Sequence, residues 1–317
     1  MNNEQLPIHF APLQGYTDAI YRSAHARIFG GVASYYTPFV RLEHGDFRRK
    51  DVRELDADNN RGVNLTPQLI ASTPEKILRI LALFIEKGYK NVDINLGCPF
   101  PTLAKRHNGA GLLPYPDEAK ALLMAAIEAH PEIQFSVKMR LGWEDANECM
   151  ALLPLLNSLP LSHITMHPRL GKQQYKGEVD LEAFQRFYAK CEKPLIYNGD
   201  LLTLDDIDTI SNRFPVFHLN IGLSDLHAVQ ITLVGNDALA ELDVGHFSRT
   251  DADLESAFRC CKSNIHAEHR FADCGSGADD GQLAAEESAN NRVHILDARR
   301  NADDVSLYSL FEMVVSG

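Results

Sequence analysis

Proline runs out two thirds of the way along this chain. All 15 prolines of its 317 residues lie at or before Pro215, and only one lysine, Lys262, follows that point. No run of about 18 apolar residues occurs anywhere, so no membrane-spanning helix is expected. The start, Met1-Asn2-Asn3-Glu4-Gln5, has neither a basic segment nor an apolar stretch behind it, and no secretory signal is expected. Six cysteines do not make a disulfide framework, which favours free thiols and a cytoplasmic location. Basic residues are also scarce. The net charge of −12 would ordinarily argue against a nucleic-acid partner. The deficit is uneven, however. Residues 216–317 hold 7 Lys+Arg against 17 Asp+Glu, whereas residues 1–215 hold 24 against 26. The chain changes character near residue 216, and its two parts are read separately.

An apolar fraction of 45% supports a sizeable core. The first part alternates strand-like with helix-like segments. Ile8 to Ala11 is a short apolar run stopped by Pro12 and Gly15, and residues 18–29 follow with helical spacing. Ala33 to Val40 and Gly62 to Thr66 read as strands. Thr73-Pro74-Glu75 opens a helix carrying Ile77, Ile80, Leu81, Phe84 and Ile85, closed by Lys87-Gly88. Further strands are expected before Asn95, over 134–139, over 163–166, over 194–197 and over 216–221. Helices are expected over 117–129, 144–158, 180–190 and 205–212. Eight strand candidates, most followed by a helix, predict an α/β fold: a (β/α)₈ TIM barrel with a C-terminal appendage. An open doubly wound sheet would want a Gly-rich dinucleotide loop after an early strand. Pro12-Leu13-Gln14-Gly15 is not one.

Chemistry concentrates where those strands end. Asn95-Leu96-Gly97-Cys98-Pro99 sets a cysteine at the mouth of a strand, between two residues that stop regular structure. Asn95 beside it can read the edge of an amide-like ring. Pro12, Leu13, Gln14, Gln68, Lys138, Arg140, His167, Arg169 and Asn198-Gly199-Asp200 also fall at the C-terminal ends of predicted strands. Taken singly, Lys138 could be a solvated charge, His167 a core histidine and Asn198-Gly199-Asp200 an ordinary turn. A barrel gathers all these ends on one face, where its active site lies.

These stretches resemble the tRNA-dihydrouridine synthase family. The matching pieces begin with Ala11-Pro12-Leu13-Gln14-Gly15-Tyr16-Thr17-Asp18, Gln68, and Asn95-Leu96-Gly97-Cys98-Pro99 with Gly109-Ala110-Gly111-Leu112-Leu113. They continue with Val137-Lys138-Met139-Arg140-Leu141-Gly142-Trp143, His167-Pro168-Arg169 with Tyr175 and Gly177, and Asn198-Gly199-Asp200. The resemblance covers residues 1 to about 215. It implies an FMN-dependent enzyme that uses NADPH to reduce the C5=C6 bond of uridines in tRNA, giving 5,6-dihydrouridine. By position it places Pro12, Leu13 and Gln14 along the flavin, Gln68 on its ring, and Lys138 and His167 at its polar edge. Asn198, Gly199 and Asp200 would hold the ribityl–phosphate end. Asn95, Arg140, Arg169 and Tyr175 would bind substrate, and Cys98 would give a proton to C5 as hydride reaches C6. A monomer without metal is expected.

The remainder departs from the pattern. Where the family carries Gly-Arg-Gly to grip the FMN phosphate, this chain reads Ile221-Gly222-Leu223-Ser224. Gly222 is carried over as a cofactor residue, but leucine stands in the arginine's place. The expected division is a catalytic barrel over 1–222 and an acidic segment over 223–317 where relatives have a helical tRNA-binding domain. Residues 249–306 are poor in large apolar side chains, and 273–291 read as loop or disorder. The spacing of Cys260, Cys261, His266, His269 and Cys274 matches no common zinc pattern. The tail is either a diverged accessory domain or the product of a frameshift or rearrangement near codon 216. Composition, charge and motif all break there, which favours the second. Weaker binding of FMN and tRNA than in relatives is then expected. Two other readings stand beside the first: an FMN barrel acting on a free pyrimidine, as dihydroorotate dehydrogenases do, and a barrel that has lost catalysis with its flavin.

Overall fold

A computed structural model describes residues 7–28, 30–216 and 218–221. Gly222, Leu223 and the acidic tail, with the cysteine–histidine cluster and the loop segment read there, lie outside the described residues. The elements in chain order are β1 (Ile8–Phe10), α1 (Ala19–Ile28), β2 (Val32–Tyr36), β3 (Leu42–Glu43), β4 (Asp46–Phe47), α2 (Arg49–Arg53), β5 (Leu65–Thr66), β6 (Gln68–Leu69) and α3 (Pro74–Glu86). They continue with β7 (Asn91–Leu96), α4 (Pro101–Ala104), α5 (Pro116–Ala129), β8 (Gln134–Gly142), α6 (Glu148–Ser158), β9 (Leu161–Leu170), α7 (Leu181–Tyr188), β10 (Leu195–Asn198), α8 (Leu204–Arg213) and β11 (His218–Ile221). Among the described residues no helix is long and apolar enough to cross a membrane.

Nine strands form one parallel sheet in the order β5-β2-β1-β11-β10-β9-β8-β7-β6. Its two outer members, β5 and β6, are consecutive in sequence and separated only by Pro67, which has no N–H to give to a ladder. The ring therefore closes through one strand broken at a proline, and the expected eight-stranded barrel is what forms. The two-stranded β3–β4 ribbon and the short helices α2 and α4 are additions that the sequence pattern did not reveal. Strands β8 and β9 run longer than expected, because they stay paired from Phe135 opposite Leu161 to Gly142 opposite Leu170. Arg140, His167 and Arg169 consequently lie within strands rather than just beyond them.

The helices form for local reasons. The Thr73 side chain accepts from the Lys76 N–H at the start of α3, and Pro74 occupies the first turn, where its missing N–H costs nothing. That helix buries Ile77, Ile80, Leu81 and Phe84, each contributing about 1.5–3 kcal/mol by leaving water. Thr203 and Asp206 close a reciprocal capping box on α8.

Alternation along the strands decides what the barrel contains. Val92, Ile94, Leu96, Val137, Met139, Leu141, Ile164 and Met166 are fully buried. The polar residues between them share the opposite, inward face. The floor is polar as well, unlike a barrel filled by branched apolar layers. His9 Nδ1 lies 2.5 Å from Ser34 Oγ, His9 Nε2 lies 2.6 Å from His218 Nδ1, and the Tyr36 hydroxyl lies 3.2 Å from His163 Nε2. Burial pushes His9 down to about 3 and His163 to about 4, with the neighbouring imidazoles adding to both shifts. The floor is a neutral plug at neutral pH.

Candidate active site at the barrel mouth

Parallel register, together with period-two alternation, assembles the mouth. Gln68 sits opposite Asp93, Asp93 opposite Ser136, Asn95 opposite Lys138, Lys138 opposite Thr165, Arg140 opposite His167, and Asn198 opposite Asn220. Six strands thus bring their polar residues onto one inner surface.

Cys98 is fixed from both sides. Asn95 Oδ1 accepts from the N–H groups of Gly97 (3.0 Å) and Cys98 (2.8 Å), and the Ala110 N–H donates to the Cys98 carbonyl at 3.0 Å. Gly109 presses so closely that a Cβ there would lie 2.7 Å from the Cys98 carbonyl oxygen and 2.8 Å from its Cβ. Burial pushes the Cys98 thiol up, against the opposing pull of the Phe100 backbone, Arg140, Lys138 and Arg41. The sulfur is therefore protonated at neutral pH and able to act as an acid.

Cations crowd the same surface. Lys138 is half-buried and makes neither an ion pair nor a hydrogen bond among the described residues. Burial, then Arg140, lowers it to about 8. Arg140 Nη1 donates to the carbonyls of Leu170 (3.0 Å) and Gln174 (2.5 Å), and its guanidinium lies 5.3 Å from the centre of the exposed Tyr175 ring. Burial brings Arg140 down to about 10, still fully charged at neutral pH. Arg169 forks onto both oxygens of Asp200 at 2.7 and 2.6 Å and onto the Gly177 carbonyl. Its Nη1 also donates to His167 Nε2 at 3.2 Å, which leaves the imidazole proton on Nδ1. Burial holds His167 well below its ordinary value, and Arg140, Lys138 and Arg169 push the same way.

The remaining expected residues complete the rim. Asn198 donates from Nδ2 to the Asn220 carbonyl at 2.7 Å. Gly199 has φ +122°, and a Cβ on it would stand 3.0–3.1 Å from the His167 ring, so a substituent there would displace the imidazole. Pro12, Leu13 and Gln14 form the turn after β1, where the Leu13 N–H donates to Thr17 Oγ1 at 2.9 Å. Gln14 Oε1 and both side-chain heteroatoms of Asn220 are buried without partners. The sequence reading passed over Asp93, Ser136, Thr165 and Asn220. Their signal was the polar period of two, shared in phase with Asn95, Lys138 and His167. Net positive charge, unused amide atoms and a side-chain-free position at Gly199 suit a planar, many-edged anion.

The chain is similar to known proteins over the barrel. A sequence model described as dihydrouridine synthase (Dus) matches residues 9–216, ending where the composition breaks. A tRNA-dihydrouridine(16) synthase of Haemophilus ducreyi is 27% identical over 235 residues, 72% of each chain. A tRNA-dihydrouridine synthase B of Klebsiella pneumoniae is 26% identical over 194 residues, 60% of this chain and 59% of that one. The chain thus spans under two thirds of the Klebsiella protein. Among solved structures, histamine dehydrogenase from Rhizobium sp. 4-9 superposes with a TM-score of 0.52 at 10% identity, over 75% of this chain and 46% of that one. That likeness concerns the barrel fold alone.

Proposed function

The chain belongs to the dihydrouridine synthase family, and from that premise we propose that it reduces the C5=C6 bond of uridine in tRNA. The observation that carries the reading is Cys98: a thiol kept neutral by burial, clamped by Asn95 and Gly109, beside Lys138 and Arg140. A neutral thiol can hand a proton to C5 of the ring, and the resulting thiolate is stabilised by the two cations. Asn95 offers its second amide N–H to a ring carbonyl, and Arg140 and Lys138 offset the negative charge that develops on that carbonyl. Cys98 is half-buried, so the base must leave its stack to reach the sulfur.

FMN fits the residues present. The unpartnered Gln14 Oε1, the Lys138 ammonium with no ion pair among the described residues and the close contact of Gly199 with His167 suit a flat ring with polar edges. Gln14, Gln68, Lys138 and His167 would hold its ring, with Pro12 and Leu13 alongside. Asn198, Gly199, Asp200 and, outside the described residues, Gly222 would hold its chain. When bound there and reduced by NADPH, FMN would supply the hydride for C6. Arg169 and Tyr175 act from the rim: Arg169 fixes Asp200 and His167, and Tyr175 covers Arg140.

The test uses the purified full-length chain. A flavin absorbance spectrum, identification of the released cofactor, and dihydrouridine formation on unmodified tRNA with NADPH are expected. A colourless protein that forms no dihydrouridine after FMN is added overturns the reading. Reduction of a free pyrimidine but not of tRNA would transfer it to the free-base class.

A further inference from the structure

Resting on that reading of the mouth, we propose that Asp93 is a positioning residue: together with the Gly97 and Cys98 N–H groups it sets which way the amides of Gln68 and Asn95 face, and so which groups the site presents to the uracil ring.

Asp93 sits in the middle of β7, 1% exposed. Its Oδ2 accepts from Gln68 Nε2 at 2.6 Å, and its Oδ1 accepts from Ser136 Oγ at 2.6 Å. An ionised carboxylate only accepts, so Gln68 must turn its NH₂ toward it. Gln68 Oε1 then faces Asn95 and accepts from Nδ2 at 2.8 Å. Asn95 Oδ1 is left facing the loop, where the N–H groups of Gly97 and Cys98 reach it. Those backbone groups only donate, so the far end demands an oxygen from Asn95 on independent grounds. Both ends impose the same orientation through four linked groups. Reversing any member sets donor against donor or acceptor against acceptor in a buried place, which is costly. Both lone-pair directions of Asn95 Oδ1 are used, so Asn95 has only an N–H left for a ligand, which suits a ring carbonyl and opposes an amino group.

The charge state of Asp93 is the lever. Burial pushes it up to about 6, while Ser136, Gln68 and the Lys138 charge oppose the shift. The titratable groups facing it are Lys138 of β8 and Tyr36 of β2. Once protonated, Asp93 no longer demands an N–H from Gln68, and the orientation of both amides rests on the Gly97 and Cys98 N–H groups alone.

The test has one arm that does not depend on activity. In the ¹⁵N-labelled wild-type protein, the side-chain amide signals of Gln68 and Asn95 are assigned by their loss in Gln68→Leu and Asn95→Leu. They are expected to shift together with one midpoint near pH 6. That midpoint should move up in Ser136→Ala, which removes a donor from the ionised carboxylate, and vanish in Asp93→Asn. Asn95 signals that stay still while those of Gln68 titrate overturn the proposal. In the second arm, Asp93→Asn removes one of the two demands on the amides, since Ser136 can turn to accept, and leaves only the loop N–H groups to orient them. Dihydrouridine formation should then fall ten- to a hundredfold in kcat and lose its acid limb, with the melting temperature unchanged. A wild-type profile in Asp93→Asn, or joint loss of fold and flavin, overturns it. A wild-type protein that makes no dihydrouridine refutes the proposed function, and the amide titration still decides the role of Asp93.

Discussion

At the floor of the barrel His9 finds Ser34 at 2.5 Å on one side and His218 at 2.6 Å on the other. Two residues further along β11, Asn220 is buried and neither atom of its amide finds a partner. The same contrast separates Tyr36 and His163, joined at the floor, from Gln14 at the mouth, whose Oε1 finds no partner. Both regions are polar, and several of the same strands build them. The floor closes its hydrogen bonds on itself and carries no charge, as a structural plug requires. The mouth keeps an excess of cationic charge and open hydrogen-bonding capacity, which only a ligand can use. Polar burial therefore does not by itself mark a site; unspent polar burial does.

The largest expected effect breaks the mouth without touching the floor. Cys98→Ala should cut dihydrouridine formation by about 10²–10⁴-fold, the usual contribution of a positioned acid. Bound flavin and NADPH oxidation should survive, as measured by absorbance and stopped-flow. Tm should hold, because the Asn95 and Ala110 bonds involve only the Cys98 backbone. Tenfold or less loss of product would remove Cys98 from the acid's role.

Next comes the floor. His9→Ala leaves Ser34 and His218 facing an empty space and is expected to cost about 2–4 kcal/mol, from unpaired polar groups and the cavity together. Urea unfolding measures it. A cost below about 1 kcal/mol would mean that the floor is hydrated rather than closed.

Acid should expose the same difference. His9 and His163 bind protons less readily folded than unfolded, since burial depresses them to about 3 and 4 from 6.5. The unfolded chain therefore binds more protons as pH falls below 6.5, and stability is lost through that window down to about pH 4 for His163 and about pH 3 for His9. Each histidine contributes up to about 1.4 kcal/mol per pH unit. His9→Gln should reduce the slope by about one proton, and an unchanged slope would place the acid sensitivity elsewhere.

How far these regions were legible in the sequence follows from the kind of signal each carries. Prolines, glycines and apolar periods announced all eight barrel positions, because breaking or continuing a strand is a local matter. The break at Pro67 was visible, but its closing of the ring was not, since that depends on pairing with both β2 and β7. Cys98, Lys138 and His167 stood out by motif. Asp93 did not, because it sits inside an apolar run and its partners Gln68 and Ser136 lie 25 and 43 residues away. His9 and His163 carry no local signal, because only the barrel's curvature brings them to His218.

The smallest expected effect reverses the usual sign of a core substitution. Lys138 is held at about 8, below its ordinary 10.5, chiefly by burial and then by Arg140. The unfolded chain thus binds the extra proton between pH 8 and 10.5, and the fold gains stability as pH rises through that window. At pH 7 the protein carries the cost of a charge whose burial outweighs the attraction of Asp93 and Cys98. Lys138→Met removes it and should raise stability by about 1 kcal/mol, a figure kept low because the side chain is only half-buried. The variant should also lose the alkaline gain and retain less flavin. His9→Ala at the floor and Lys138→Met at the mouth would then move stability in opposite directions, although each removes one polar side chain from the same barrel interior. If Lys138→Met unfolds as readily as His9→Ala, the lysine is spent on the fold, and the distinction between a satisfied floor and an unsatisfied mouth fails where it was drawn most sharply.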